Sequence, residues 1–361
     1  MQTGNNYSLI ERLLHRLAFH SRPVQTLLED MEQSLYSKEW QGVDVSKPVF
    51  VTSLPRAGTT VLLESMSRLS CVATHTYRDM PFILTPVIWH KLSGPFQKSR
   101  ERSERAHGDG LMINEDSPEA FEEVLFKHSF ADEYKGNFLT LYKSGDGVSK
   151  DFQRAMHEHM QKIIQLRSGN NSSGKRYVSK NNANIARIPL LQSLFPEANI
   201  VLVLRDPFTH AMSLHRQHRN FLKQHSEDAF IKRYMADIGH YEFGELHKPI
   251  AFPGMDEVIR QYEPASPDYW LAYWIAAFDY LAQQPGLLVA SHEAICESPR
   301  QGLATLCQAV AMPVEQADIA AAAACYSQQV TGSDDRDRFS QALVDKAQQV
   351  YERLYQHRVN D

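Results

Sequence analysis

Arg56, Thr59 and Thr60 have side chains that can hold an oxyanion, and they are close neighbours in the sequence. The segment around them begins with an apolar, largely β-branched run at 49–51. It breaks at the turn-forming stretch 55–58 and then continues with the apolar spacing of a helix. We therefore predict a strand, a tight loop and a helix. Such a loop directs successive backbone N–H groups and the positive end of the helix at one point, which favours binding of a phosphate-like anion.

The loop differs from a Walker A loop in the position of its cation. A Walker A loop has a lysine directly before the threonine, and Gly58 stands there instead. The cation of this loop is Arg56. The alternative interpretation is an ordinary strand-to-helix turn in which Arg56 is only a surface charge.

Two further segments repeat this order of a strand followed by a cation. The short run 176–180 ends in Lys180, and the continuous apolar run 199–204 ends at Arg205. Helical patterns follow both, and the alternation predicts βαβ units and a central parallel sheet flanked by helices, an α/β fold. Ligands bind beyond the carboxyl ends of such strands, so we expect Arg56, Lys180 and Arg205 to converge.

The composition predicts an ordinary globular protein. Of the 361 residues, 43% are hydrophobic and 22% are charged, and the formal net charge of −5 argues against a general nucleic-acid binder. We expect one domain over residues 1–361, with N-terminal helices in 1–45 packed on a core formed by 46–361. The four cysteines lack the spacing of a zinc site, and we expect no metal.

No apolar run is long enough to span a membrane, and the first twenty residues lack a secretory signal. This pattern leads us to expect a cytoplasmic protein. We predict two helices within 8–36 and another at 151–168. We also predict a helix that starts at Ser117. The acidic and amide side chains at 109 and 114–123 have the chemistry to accept hydrogen bonds from sugar hydroxyls; the alternative, which we expect, is that they form the wet face of an amphipathic helix.

Several motifs resemble those of sulfotransferases that use 3′-phosphoadenosine 5′-phosphosulfate (PAPS). The segment 54–60 (LPRAGTT) resembles the family's 5′-phosphosulfate loop. The segment 203–207 (VLRDP), with Ser213 beyond it, resembles the 3′-phosphate motif, and Lys180 is similar to a strand-end lysine near the transferred group. The two nucleotide motifs occur in the family's order on matching elements. The resemblance implies a fold with the layout of nucleotide kinases.

The resemblance also implies roles for individual residues. Arg56 would hold the bridging region of the phosphosulfate, Lys180 would stabilise the migrating sulfuryl group, and Arg205 would select a nucleotide with a 3′-phosphate. The residues implied to bind the nucleotide are Arg56, Ala57, Gly58, Thr59, Thr60, Arg205 and Ser213. Fixed cations suffice for sulfuryl transfer, so no metal is required.

The acceptor hydroxyl requires a base, for which the loop at 75–79 offers His75 and Asp79. His107 and Asp109 form a second candidate pair. An imidazole titrates near neutral pH and suits the role. The alternative is that these side chains cap or pair within their loops. His215 and His218, three residues apart on a predicted helix, lack an evident third metal ligand and are expected at solvated positions.

The sequence thus predicts transfer of a sulfuryl group from PAPS to an acceptor hydroxyl. A carbohydrate or glycoconjugate is the expected acceptor, because the motifs lean toward the carbohydrate and tyrosylprotein branches of the family. A small lipid or polyketide-like alcohol is the alternative acceptor. One alternative is a P-loop kinase-like phosphotransferase, which Gly58 at the lysine position disfavours. The other is a nucleotide-binding protein without catalytic activity.

Overall fold

A parallel sheet of five strands forms the centre of the molecule. The computed structural model describes residues 9–19, 21–93, 103–104, 112–143, 149–168, 174–326 and 335–359. The strands are β1 (Val49–Thr52), β2 (Val72–Ala73), β3 (Ser103–Glu104), β4 (Met112–Ile113), β5 (Arg176–Lys180), β6 (Asn199–Leu204) and β7 (Leu287–Ser291). The sheet has the order β2-β5-β1-β6-β7, and β3 and β4 pair separately and antiparallel. The central parallel sheet predicted from the sequence is confirmed.

Helices flank this sheet and connect its strands. They are α1 (Leu9–Ala18), α2 (Arg22–Tyr36), α3 (Thr59–Met66), α4 (Pro86–Ser93), α5 (Glu123–Ser129), α6 (Lys150–Ser168), α7 (Ile188–Leu194), α8 (Pro207–Glu227), α9 (Ala229–Asp237), α10 (Met255–Gln261), α11 (Pro267–Leu281), α12 (His292–Glu297), α13 (Pro299–Ala309), α14 (Gln316–Ala323) and α15 (Gln341–Tyr355). The two predicted N-terminal helices are α1 and α2, and the helix predicted at 151–168 is α6. Within the described chain, no helix combines the length and apolar character that a membrane crossing requires.

The central strands β1 and β6 are largely apolar because both faces of the sheet are covered. On β1, Phe50 packs into one apolar cluster, whereas Val49 and Val51 pack into the cluster on the opposite face. On β6, Leu202 and Val201 alternate in the same way. Side chains alternate along a strand, so each strand supplies both cores. Polar groups are therefore concentrated where the strands end.

The prediction that a helix starts at Ser117 is wrong, because α5 begins at Glu123. The carbonyl of Ser117 instead accepts the N–H of Tyr77 at 3.1 Å, and Pro118 pairs with Thr76 in a β-bridge. These bonds use the backbone groups that a helix would need. The segment therefore runs beside the loop at 76–79.

The acidic stretch at 114–123 does not form a wet face. Glu119, Glu122 and Glu123 are all buried, and each has polar partners. Arg187 donates to both oxygens of Glu123, at 2.6 and 2.8 Å, and burial raises the pKa of Glu122. A buried carboxylate persists only when such partners surround it. The sequence pattern did not predict this burial because the partners of the carboxylates come from other segments.

His215 and His218 are also buried rather than solvated. His215 Nε2 bonds to the carbonyl of Ala265 at 2.9 Å, and His218 Nδ1 accepts the N–H of Gly244 at 3.1 Å. Both imidazoles are therefore structural groups that join α8 to neighbouring segments.

Candidate active site

The loop between β1 and α3 has the strained backbone of an anion-binding turn. Arg56 and Gly58 have φ values of 72° and 95°, in the left-handed region that residues other than glycine rarely adopt. A strained arginine persists only where its surroundings impose that conformation. His210 Nε2, bonded to the carbonyl of Pro55 at 2.8 Å, is one such constraint. Gly58 also lies against His292, because a Cβ at this position would lie 2.4 Å from His292 Nδ1.

A cavity opens at the carboxyl ends of β1, β5 and β6. Six of the residues singled out from the sequence line it: Arg56, Gly58, Thr59, Thr60, Lys180 and Arg205. The expected convergence of the three cations is confirmed. It follows from the register, since β1 lies between β5 and β6 and the three chains leave the sheet at the same edge.

Arg56, Arg205 and Ser213 form a connected group at one side of this cavity. Arg56 Nε donates to Ser213 Oγ at 3.3 Å, and Arg205 Nη1 donates to the carbonyl of Arg56 at 2.7 Å. Burial lowers the pKa of Arg205; Glu293 opposes this shift, and the charge of Arg56 adds to it. Two arginines held this close favour a ligand that brings negative charge.

Ser213 and Ala57 do not line the cavity directly. Ser213 contacts it through Arg56, and Ala57 is fully buried in the apolar cluster beneath the loop. The contribution of Ala57 to an anion site can therefore come only from its backbone.

Lys180 faces the cavity from the end of β5. Its side chain is only 6% exposed, and Glu119 Oε1 lies 3.9 Å from its Nζ. The next cavity residue along this loop, Asn182, accepts a hydrogen bond from Thr59 Oγ1 at 3.3 Å. The loop after β5 is thus joined to the start of α3.

His75 and Asp79 do not line the cavity. His75 Nδ1 bonds to Asp79 Oδ2 at 3.0 Å, and its Nε2 bonds to His159 Nε2 at 2.8 Å, so both ring nitrogens are occupied. Burial alone would raise the pKa of Asp79, but the charge of Arg167 and the bond to His75 hold it well below its usual range. This placement argues against the expectation that either residue is the base.

The second candidate pair for the base, His107 and Asp109, lies outside the described residues.

The sequence analysis missed the opposite wall of the cavity. Three successive turns of α8 each contribute one side chain to this wall: Gln217, Phe221 and His225. The segment after α9 adds His240 and Glu242. The α8 positions follow Ser213 at intervals of four residues, which places them on one helix face. That spacing was a usable signal. Nothing in the sequence indicated that 240–242 would reach the same cavity.

The model of the sulfotransferase family matches residues 48–247, more than half of the chain. The chain belongs to the sulfotransferase family. Both nucleotide motifs, Lys180 and the α8 wall lie within the matched segment. No curated protein sequence matches the chain at a significant level.

A solved sulfotransferase shares the fold of this family member. The chain is similar to the sulfotransferase STF9 from Mycobacterium avium, with a TM-score of 0.53 and 12% identity, over 97% of this chain and 86% of that one. It is also similar to the sulfotransferase STF1 from Mycobacterium tuberculosis H37Rv, with a TM-score of 0.48 and 14% identity, over 98% and 88% of the two chains. At these identities the likeness to STF9 supports the fold alone, which is that of P-loop kinases.

Proposed function

We propose that this sulfotransferase moves a sulfuryl group from PAPS to a hydroxyl group of an acceptor, with a carbohydrate or glycoconjugate as the acceptor class. The observation that carries the proposal is the meeting of Arg56, Lys180 and Arg205 in one cavity at the start of α3. Members of the family generally use PAPS, which has anionic groups at both ends of its ribose. Cations at two sides of a helix N-terminus match that distribution.

The two anionic ends of the donor would each meet complementary groups at the cavity. The N–H groups and hydroxyls of Thr59 and Thr60, together with Arg56, would hold the 5′-phosphosulfate. Arg205, with Ser213 behind Arg56, would hold the 3′-phosphate. Planar guanidinium groups bind two anionic oxygens at once, which suits both positions.

In the transfer step the acceptor oxygen forms a bond to sulfur while the bond from sulfur to the 5′-phosphate oxygen breaks. Negative charge grows on that leaving oxygen, and Arg56 would stabilise it. Lys180 would stabilise the oxygens of the migrating group. Preorganised charges of this kind supply much of the rate enhancement in group-transfer enzymes.

The proton of the acceptor hydroxyl would pass to His240 or Glu242. Both line the cavity that contains Lys180, and neither side chain makes a hydrogen bond to another described residue. An imidazole and a carboxylate both suit proton removal near neutral pH. These residues replace His75 and Asp79 as the candidate bases.

The cavity wall supports a carbohydrate acceptor. Phe221 and Phe243 lie nearly parallel, with ring centroids 6.0 Å apart, and both line the cavity together with the polar side chains of Gln217, His240 and Glu242. Aromatic rings pack on the C–H faces of a sugar, while convergent polar groups bind its hydroxyls.

The experiment is transfer of radiolabelled sulfuryl from PAPS to a panel of sugars, glycoconjugates, phenols and lipid alcohols. We expect turnover with a sugar-containing acceptor. Lys180→Ala should lower kcat by about 10²-fold or more, as removal of one transition-state cation does elsewhere. Lys175→Ala, which removes a lysine just before the opposite end of β5, is the matched control and should leave kcat unchanged.

The candidate bases are distinguished in the same assay. His240→Gln or Glu242→Gln should remove the acid limb of the pH–rate profile, whichever residue accepts the proton. Full activity of Lys180→Ala, or an unchanged profile in both base variants, would contradict the assigned roles.

A further inference from the structure

Lys180 has a buried acidic neighbour that does not line the cavity. Glu119 is 6% exposed, like Lys180, and its Oε1 lies 3.9 Å from the Lys180 Nζ. At that distance the two charges attract without a short hydrogen bond.

The Glu119 carboxylate is fixed from two directions. Tyr77 Oη donates to its Oε2 at 2.6 Å, and the N–H of Ala120 donates to its Oε1 at 2.8 Å. The N–H of Glu119 itself donates to the carbonyl of His75 at 3.2 Å. Burying two charges costs desolvation free energy, and their attraction offsets that cost only when the geometry of the pair is fixed in this way.

Tyr77 is fixed in turn by the buried network around Asp79. Tyr77 begins a short 3-10 helix, Tyr77–Asp79, and the Asp79 carboxylate accepts the N–H of Thr76 and two bonds from Arg167. The His75 pair with His159 closes this network. Groups that do not touch the cavity are thus connected to Lys180 through Tyr77 and Glu119.

We propose that Glu119 is a positioning residue for Lys180. Its carboxylate, held by Tyr77, keeps the Lys180 ammonium group at the point where the sulfuryl group migrates. The inference rests on the proposed function, because it concerns the cation of that same transfer step. It also gives the loop at 75–79 a role as the support of a catalytic cation.

The test is a double-mutant cycle on kcat at saturating PAPS, with the panel acceptor that the wild type uses fastest. Glu119→Gln should lower kcat about tenfold or more and leave the affinity for adenosine 3′,5′-bisphosphate within about twofold. In the Lys180→Ala background the same substitution should have almost no further effect, since interacting residues are not additive. Tyr77→Phe should lower kcat in the same direction by a smaller factor.

Glu122→Gln is the matched control. Glu122 is a buried carboxylate three residues further on, but it accepts bonds from Tyr177, Ser179 and Asn184 rather than pairing with Lys180. The Glu122→Gln substitution should change kcat by the same factor in the wild type and in the Lys180→Ala background. A purely structural role of Glu119 would give the same additive result.

Three outcomes would overturn the inference: full kcat in Glu119→Gln, an equal loss in both Lys180 backgrounds, or loss of the acid limb of the pH–rate profile, which would make Glu119 the base. Each of these presupposes a wild type that transfers the sulfuryl group. A wild type that does not distinguish nucleotides with and without a 3′-phosphate would instead contradict the proposed function.

Discussion

At the scale of single residues, the site depends on a backbone conformation that few side chains permit. Gly58 combines a φ of 95° with direct contact to His292, and it immediately precedes Thr59, the first residue of α3. Any side chain here would be strained and would also collide with the His292 imidazole. The backbone of this loop therefore requires glycine at position 58 for two independent reasons.

Gly58→Ala should lower the free energy of unfolding by more than the roughly 1–3 kcal/mol typical of a strained backbone position. It should also weaken binding of adenosine 3′,5′-bisphosphate. Gly42→Ala is the matched control, because Gly42 has a φ of 89° with no atom within 4 Å of an added Cβ. Urea unfolding of both variants gives the comparison. Equal losses of stability would show that the contact with His292 is unimportant.

The sequence predicted these loop residues because their signal is local. The positions of Arg56, Lys180 and Arg205 followed from the ends of apolar runs, and the structure brings them together. The environment of His75 could not be predicted, because its partner His159 is 84 positions away in the chain. A polar loop residue gives no sequence signal of the distant group that buries it.

At the scale of elements, α8 connects the two halves of the candidate site. Its first turns carry Ser213, which contacts Arg56, and its later turns carry Phe221, which faces the cavity. A single helix thus connects the proposed nucleotide site with the proposed acceptor site. The sequence indicated the helix, and the four-residue spacing after Ser213 was a signal for its cavity-facing side, but the burial of its histidines depends on the segments packed against it.

Substitutions along α8 should separate nucleotide binding from acceptor binding. Ser213→Ala should weaken adenosine 3′,5′-bisphosphate binding about fivefold, the value of one hydrogen bond, and leave the acceptor KM unchanged. Phe221→Leu should raise the acceptor KM roughly tenfold without changing nucleotide affinity, because it loses aromatic contact but keeps apolar volume. Calorimetry and steady-state kinetics measure the two effects. A similar change of both quantities in each variant would contradict this division of the helix.

At the scale of the whole molecule, buried histidines make the fold sensitive to acid. Burial lowers the pKa of His210 and His247 to about 3, and that of His218 and His292 to about 4. In the unfolded chain these groups titrate near pH 6.5. Between about pH 6.5 and pH 4 the unfolded state therefore binds more protons than the folded state.

The free energy of unfolding should consequently fall as the pH falls through that range. The raised pKa values of Glu122 and Glu293 act in the opposite sense above about pH 4.5, but they are fewer. Urea unfolding midpoints at several pH values measure the slope. His210→Gln can keep the bonds to Pro55 and Trp274 while removing one titrating group, so its slope should be shallower. Stability that is constant or rises on acidification would contradict this account.

The central claim is that the cavity selects a nucleotide with a 3′-phosphate through Arg205. The most direct measurement is calorimetric binding of adenosine 3′,5′-bisphosphate and adenosine 5′-phosphate to the wild type and to Arg205→Ala. The wild type should prefer the bisphosphate strongly, and the variant should lose roughly 2 kcal/mol or more of that preference, the value of a buried charge-assisted contact. Equal binding of the two nucleotides by the wild type, or an unchanged preference in the variant, would contradict the claim.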